Sequence, residues 1–159
     1  MAITAIALIV NPAIYAVVVL WNDIAYIRSK EIAMATLATA ADTPNAARVL
    51  SEAVSRIASF WNLSNAQAGA ILGLSAPTIS RLRSGQYRLE PGSKPFELAQ
   101  HLLRLFRSLD SWLGQDDQSA RSWLTTPNLD LGGPPIAQLA TVRGLLRTGD
   151  YVDALRARV

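Results

Sequence analysis

The chain has 159 residues, half of them apolar, which is enough for a buried core and excludes an intrinsically disordered protein. With no cysteine and one histidine, disulfides, thiolate nucleophiles and Cys-ligated metal are excluded, and the composition fits a reducing cytoplasm. The formal net charge of +3 is unevenly placed: residues 45–107 hold eight basic side chains against three acidic ones, residues 108–159 five against six, so the first segment suits a polyanion and the second does not.

Residues 1–21 carry no charged side chain and are rich in Ile, Val and Ala, a length that just spans a bilayer as a helix. The run is broken at Asn11-Pro12, has no basic segment ahead of it, and is followed only by the basic pair Arg28 and Lys30. Residues 1–33 therefore read in one of three ways: an extension in front of a protein that opens at Met34, a membrane anchor, or one more packed element.

From residue 45 to 61 apolar side chains recur at helical spacing (Leu50, Val54, Ile57, Ala58, Trp61), with Asp42 or Thr43 ahead of Pro44 as start signals. The next segment, residues 63–85, is closely punctuated. Ser64 caps a short helix that runs to Leu72, Gly73 makes the turn, Ser75 caps a second helix, and Pro77 sits in its first turn, where the missing N–H is not needed. Gly69 fits a point where two helices approach closely. Ile71, Leu72, Leu74, Ile79 and Leu82 then face inward, and Ala76, Pro77, Thr78, Ser80, Arg81, Arg83 and Ser84 face out.

A linker-like stretch, Pro91-Gly92-Ser93-Lys94-Pro95, leads into a long amphipathic helix from Phe96 to about Trp112, with Phe96, Ala99, Leu102, Leu103, Phe106, Leu109 and Trp112 on its apolar side. His101 lies in this Leu-rich helix as an ordinary half-exposed residue. Gly114 ends the helix, Asp116 or Asp117 caps a short one carrying Ala120, Trp123 and Leu124, and the chain breaks at Thr126-Pro127-Asn128 and Gly132-Gly133-Pro134-Pro135. Pro135 opens a further turn to Leu139. Thr141 caps a last helix with the apolar stripe Val142, Leu145, Leu146, Val152 and Leu155; Gly149 falls on that stripe, which suggests a close helix contact there. The expected fold is all-α, a helical bundle with domains at 45–90 and 96–159. No nucleophile–base pair, metal-ligand spacing or phosphate-cradling glycine loop is present, so the chain reads as a non-enzyme with no cofactor and no metal.

The spacing of Gly69, Gly73-Leu74-Ser75, Thr78-Ile79-Ser80-Arg81 and Gly85 resembles the helix-turn-helix of Xre/Cro-type repressors. That resemblance places the second helix in the major groove. It implies Ala76, Pro77, Thr78, Ser80 and Arg81 at or near base edges and Asn65, Gln67, Arg83, Gln86 and Arg88 on the phosphate backbone of operator DNA. Ala76 and Pro77 have little hydrogen-bonding capacity, which shifts weight toward shape readout. Two-fold half-sites imply a homodimer.

The stretch Ala120-Arg-Ser-Trp-Leu-Thr-Thr-Pro-Asn-Leu-Asp-Leu-Gly-Gly-Pro-Pro-Ile, with Thr141-Val142-Arg143-Gly144-Leu145 and Tyr151-Val-Asp-Ala-Leu-Arg-Ala-Arg, is similar to the toxin-binding domain of the Xre/MbcA/ParS antitoxin family. The resemblance implies a RES-domain toxin as partner, one that consumes NAD or transfers ADP-ribose from it, with the antitoxin blocking the toxin's active-site mouth and the hetero-oligomeric complex repressing its own operon in the cytoplasm. Trp123, Leu124, Pro127, Asn128, Leu131, Gly132, Gly133 and Pro134 match the pattern. Trp123 and Asn128 are the toxin-binding candidates within it, although a Trp-Leu pair at helical spacing is usually core. Arg156, Arg158 and the terminal carboxylate of Val159 are the better candidates for direct contact, as a plug in an acidic or phosphate-reading pocket or as a solvated chain end. The alternative is a stand-alone Xre-type repressor whose C-terminal half only dimerises, and a third reading is a membrane-tethered regulator.

Overall fold

A computed structural model of the chain describes residues 44–157. The leader 1–33, the start signals Asp42 and Thr43, and the chain-end candidates Arg158 and Val159 lie outside the described residues. Within them the chain forms α1 (Pro44–Phe60), α2 (Asn65–Leu72), α3 (Ala76–Arg83), α4 (Lys94–Trp112), α5 (Asp117–Thr125), α6 (Pro135–Gln138) and α7 (Val142–Arg156). No strand forms among the described residues; one isolated antiparallel bridge joins Asn128 and Gly133. The protein is all-α, with the helix-turn-helix first and a smaller helical unit after it.

Five helix starts are fixed by a side chain that accepts a backbone N–H left without an intrahelical partner. Ser64 accepts from the Gln67 N–H while the Gln67 side chain accepts from the Ser64 N–H, a reciprocal box that opens α2. Ser75, Ser93, Asp116 and Thr141 open α3, α4, α5 and α7 by accepting from Thr78, Phe96, Gln118 and Gly144. The stretch 91–95 is therefore not a linker. Ser93 is the cap of α4 and Pro95 lies in its first turn, so the helix starts two residues earlier than its apolar periodicity suggests. Just ahead of it Leu89 is fully buried, and its N–H donates to Ser51 Oγ of α1 at 2.8 Å. Ser51 in turn donates to the Ala47 carbonyl at 2.6 Å, so a buried polar pair ties the loop after α3 to α1.

One apolar core runs through both halves, from Ala46 to Val152, and α4 lies in the middle of it. Residues two positions apart on a helix point about 200° away from each other. Phe106 thus faces α1, its ring 6.0 Å from Phe60 and 5.6 Å from Trp61, while Arg104 and Ser108 face α7 and bond its Asp153. Being covered on both sides explains why α4 buries Leu102, Leu103, Leu105, Phe106 and Leu109 together rather than a single stripe. Arg121 of α5 adds a tie by donating to the Phe60 carbonyl at the end of α1, at 2.9 Å.

The last helix packs differently from the stripe read in its sequence. Gly144, Leu145, Thr148, Gly149 and Val152 are the buried residues, whereas Val142 and Leu146 point outward and Leu155 is half-buried. This inner face packs along α4. A Cβ at Gly144 would fall onto the Gln138 carbonyl, so this glycine is required by its neighbour. Gly149 is buried, yet a Cβ there would meet nothing within 4 Å, so close contact does not explain it.

The two glycines should consequently respond in opposite directions to alanine. Gly144→Ala is expected to destabilise by about 2 kcal/mol or more through backbone displacement, and Gly149→Ala to stabilise by up to about 1 kcal/mol through helix propensity. Urea denaturation of the two variants checks both signs.

Candidate DNA-binding and toxin-binding surfaces

The helix-turn-helix is built from α2, the turn and α3. Gly73 takes a left-handed φ of +67°, and its N–H and that of Leu74 both close on the Gly69 carbonyl. At Gly69 a Cβ would stand 2.5 Å from the Leu74 carbonyl oxygen, so no side chain fits where the turn crosses α2. Ile79 and Leu82 are buried under α3, and Pro77, Ser80, Arg81 and Ser84 form its exposed row at i, i+3, i+4 and i+7. Ala76 and Thr78 are half-buried at the start of the helix. The Thr78 hydroxyl lies 2.8 Å from the Ser75 hydroxyl and 3.5 Å from an Arg81 guanidinium nitrogen, so cap and exposed row are held together.

After α3, Gly85 turns the chain at φ +75°, and the N–H groups of Gln86 and Tyr87 both donate to the Arg81 carbonyl. This brings the exposed Gln86 and Arg88 beside the C-terminal end of α3. Asn65 is half-buried at the start of α2, and Gln67 is exposed with its carbonyl oxygen engaged in the capping box. Arg83 has an internal bond that its sequence position did not reveal: it donates to the Leu63 carbonyl at 2.6 Å, tying α3 to the turn between α1 and α2.

In the second unit, residues 128–133 form a tight loop laid over α7. Asn128 and Gly133 exchange backbone hydrogen bonds, the Asn128 side chain accepts from the Leu131 N–H at 3.1 Å, and its amide nitrogen lies 3.4 Å from the Tyr151 hydroxyl. Tyr151 donates to the Asp130 carboxylate at 2.9 Å, and Arg147 donates to the Asp130 carbonyl. Leu131 is buried beneath the loop, while Leu129 stands at its tip. Asn128 is thus the internal clasp of the loop. Trp123 is half-buried, its ring edge-on to Trp112 with centroids 6.1 Å apart. Between the loop and the outer side of α7 runs an open groove lined by Asp130, Leu131, Val142, Arg143, Leu146, Arg147, Asp150 and Tyr151.

Arg156 is exposed in the last turn of α7, 4.0 Å from Asp153. Asp153 is the electrostatic centre of this end: one carboxylate oxygen takes two hydrogen bonds from Arg104, at 3.1 and 2.6 Å, and the other takes the Ser108 hydroxyl at 2.5 Å. Burial pushes its carboxyl up, but the Ser108 and Arg104 hydrogen bonds and the charges of Arg104 and Arg156 outweigh burial and hold it below its ordinary value. No signal in the sequence links Arg104 to a residue 49 positions away. Among the described residues no three His, Cys, Asp or Glu side chains gather as a metal site, and no helix is long and apolar enough to cross a membrane.

The exposed α3 row, the basic residues after it and the second helical unit on the same core define a DNA-binding protein with a second interaction module. Residues 40–104 match the family model of the antitoxin Xre-like helix-turn-helix domain, and residues 108–158 match that of the antitoxin Xre/MbcA/ParS C-terminal toxin-binding domain. The chain belongs to the Xre/MbcA/ParS family of antitoxins. It is therefore an antitoxin of a toxin-antitoxin pair with a DNA-binding helix-turn-helix, a class of regulators that is generally non-enzymatic. No curated protein matches it in sequence. The two matched segments meet inside α4.

Two outcomes follow from this geometry. Arg88→Ala should weaken operator binding and lower its salt slope by about 1 with the melting temperature unchanged, whereas Arg83→Ala should lower both binding and stability, because it also frees the Leu63 carbonyl. Asp153, with a depressed pKa, contributes stability above its unfolded pKa that is lost as pH falls through the folded one. The melting-temperature gap between wild type and Asp153→Asn should accordingly be widest near neutrality and close as the pH is taken below the ordinary carboxylate range.

Proposed function

We propose that this antitoxin neutralises a RES-domain toxin, one that consumes NAD or transfers ADP-ribose from it, and that it represses its own operon as a homodimer in the cytoplasm. The observation that carries this reading is the order of parts: a matched helix-turn-helix with an exposed, basic-flanked α3, followed on the same short chain by a matched toxin-binding unit. A single α3 covers one half-site, and a two-fold protein is the economical way to cover two a helical turn apart. In this reading Ala76, Pro77, Thr78, Ser80 and Arg81 lie at base edges, and Asn65, Gln67, Arg83, Gln86 and Arg88 contact the backbone. Arg156, with Arg158 and the Val159 carboxylate beyond it, enters the mouth of the toxin. Trp123 and Asn128 act by shaping the unit that presents that end.

The test is co-expression of the full chain with the product of the adjacent gene, scoring survival, cellular NAD and co-purification, beside a reporter driven by the operon's own promoter. Survival, preserved NAD and a stable complex, together with a repressed reporter, are the expected results. A repressed reporter without protection or complex would leave a repressor whose C-terminal half serves dimerisation, and protection against a product that alone leaves cellular NAD unchanged would exclude a NAD-consuming partner.

A further inference from the structure

The large apolar side chains that stand exposed among the described residues are Leu129 (98 % exposed), Val142 (57 %) and Leu146 (37 %), and all three lie in the second unit, none in residues 44–107. Val142 and Leu146 line the groove between the 128–133 loop and α7, and Leu129 directly precedes the groove residue Asp130 in the loop. Isolated exposed apolar residues are ordinary, but a cluster bordered by charge marks an interaction surface. The packing of α7 strengthens this. The helix turns Gly144, Thr148 and Gly149 inward and leaves Val142 and Leu146 outside, so these two contribute to a surface and not to the core.

The groove is lined by two acidic and two basic side chains, and Arg143 is the one of the four without an internal contact among the described residues. The Asp130 carboxylate receives the Tyr151 hydroxyl, and Asp150 lies 3.6 Å from Arg104. Arg147 uses one N–H on the Asp130 carbonyl, and Arg143 makes no hydrogen bond or ion pair among the described residues. An apolar floor beside an unengaged guanidinium complements a segment with apolar side chains next to a carboxylate.

We propose that this groove, with the exposed Leu129 of the adjoining loop, is a docking surface for the toxin, receiving an apolar segment of it flanked by an acidic side chain. The proposal rests on the toxin-binding reading above and adds a place to it. Val142 and Arg156 lie fourteen positions apart on α7, about 21 Å along the helix axis, so the groove is a contact distinct from the chain end. One toxin molecule is then gripped at the start of α7 and met by the arginine-bearing end at its finish.

The experiment measures the affinity of full-length wild type and two variants, Leu129→Ser/Val142→Ser and Arg143→Glu, for a catalytically inactive form of the adjacent gene's product. Both variants change exposed positions, so melting temperature and operator binding should match wild type. Each should weaken toxin binding about tenfold or more, and Arg143→Lys should retain most of the affinity. Wild-type toxin affinity in both variants would overturn the proposal. Lost self-association with unchanged toxin affinity would assign the groove to a second copy of the chain and overturn it equally. If wild type itself fails to bind the inactive protein, the toxin-antitoxin reading fails first and the docking surface with it.

Discussion

Burial of α4 on two opposite sides is the constraint from which the rest of the structure follows. Phe106 fills the space against Phe60 and Trp61 of α1, and Arg104 and Ser108, roughly half a turn away, hold Asp153 of α7. A helix covered on one side only would leave either the DNA-binding head or the toxin-binding unit without a floor. Ser51 and Leu89 close the head onto the same support, because the buried Leu89 N–H has the Ser51 hydroxyl as its acceptor. The segment that carries the chain from α3 to α4 is therefore fixed at both ends, and α3 has a defined orientation relative to α4.

The local punctuation of the fold was legible in the sequence because its physics is local. Ser64, Ser75, Asp116 and Thr141 act on N–H groups two or three residues away, and Gly73 supplies a left-handed turn that other residues adopt with strain. The long-range ties were not legible. Leu89 to Ser51 spans 38 positions, Arg104 to Asp153 spans 49 and Arg121 to Phe60 spans 61, and no residue type in those pairs announces its partner. The stretch 91–95 misled for a different reason: Pro, Gly and Ser signal a break in periodicity, and the same residues are those that start a helix.

The candidate surfaces divide along the same line. The exposed row of α3 could be read from spacing, since Ile79 and Leu82 fix its inner side. The inner side of α7 could not, because a hydrophobicity pattern credits Val142 and Leu146 to the core and gives no weight to Gly144, Thr148 and Gly149. Gly144 is set by the Gln138 carbonyl just ahead of the helix, a backbone constraint that a hydrophobicity pattern does not register. The loop at 128–133 was likewise visible as a break but not as a clasp: Asn128, Asp130, Arg147 and Tyr151 come together only once α7 has packed.

The shared core also sets how this protein disappears. A single apolar cluster with α4 at its centre joins α7 to the DNA-binding head, so the two units share one support. A protease that captures the opened chain then destroys the antidote and the DNA-binding head in one event. Turnover changes how many molecules a cell holds while the ratio of the two activities stays fixed at one to one.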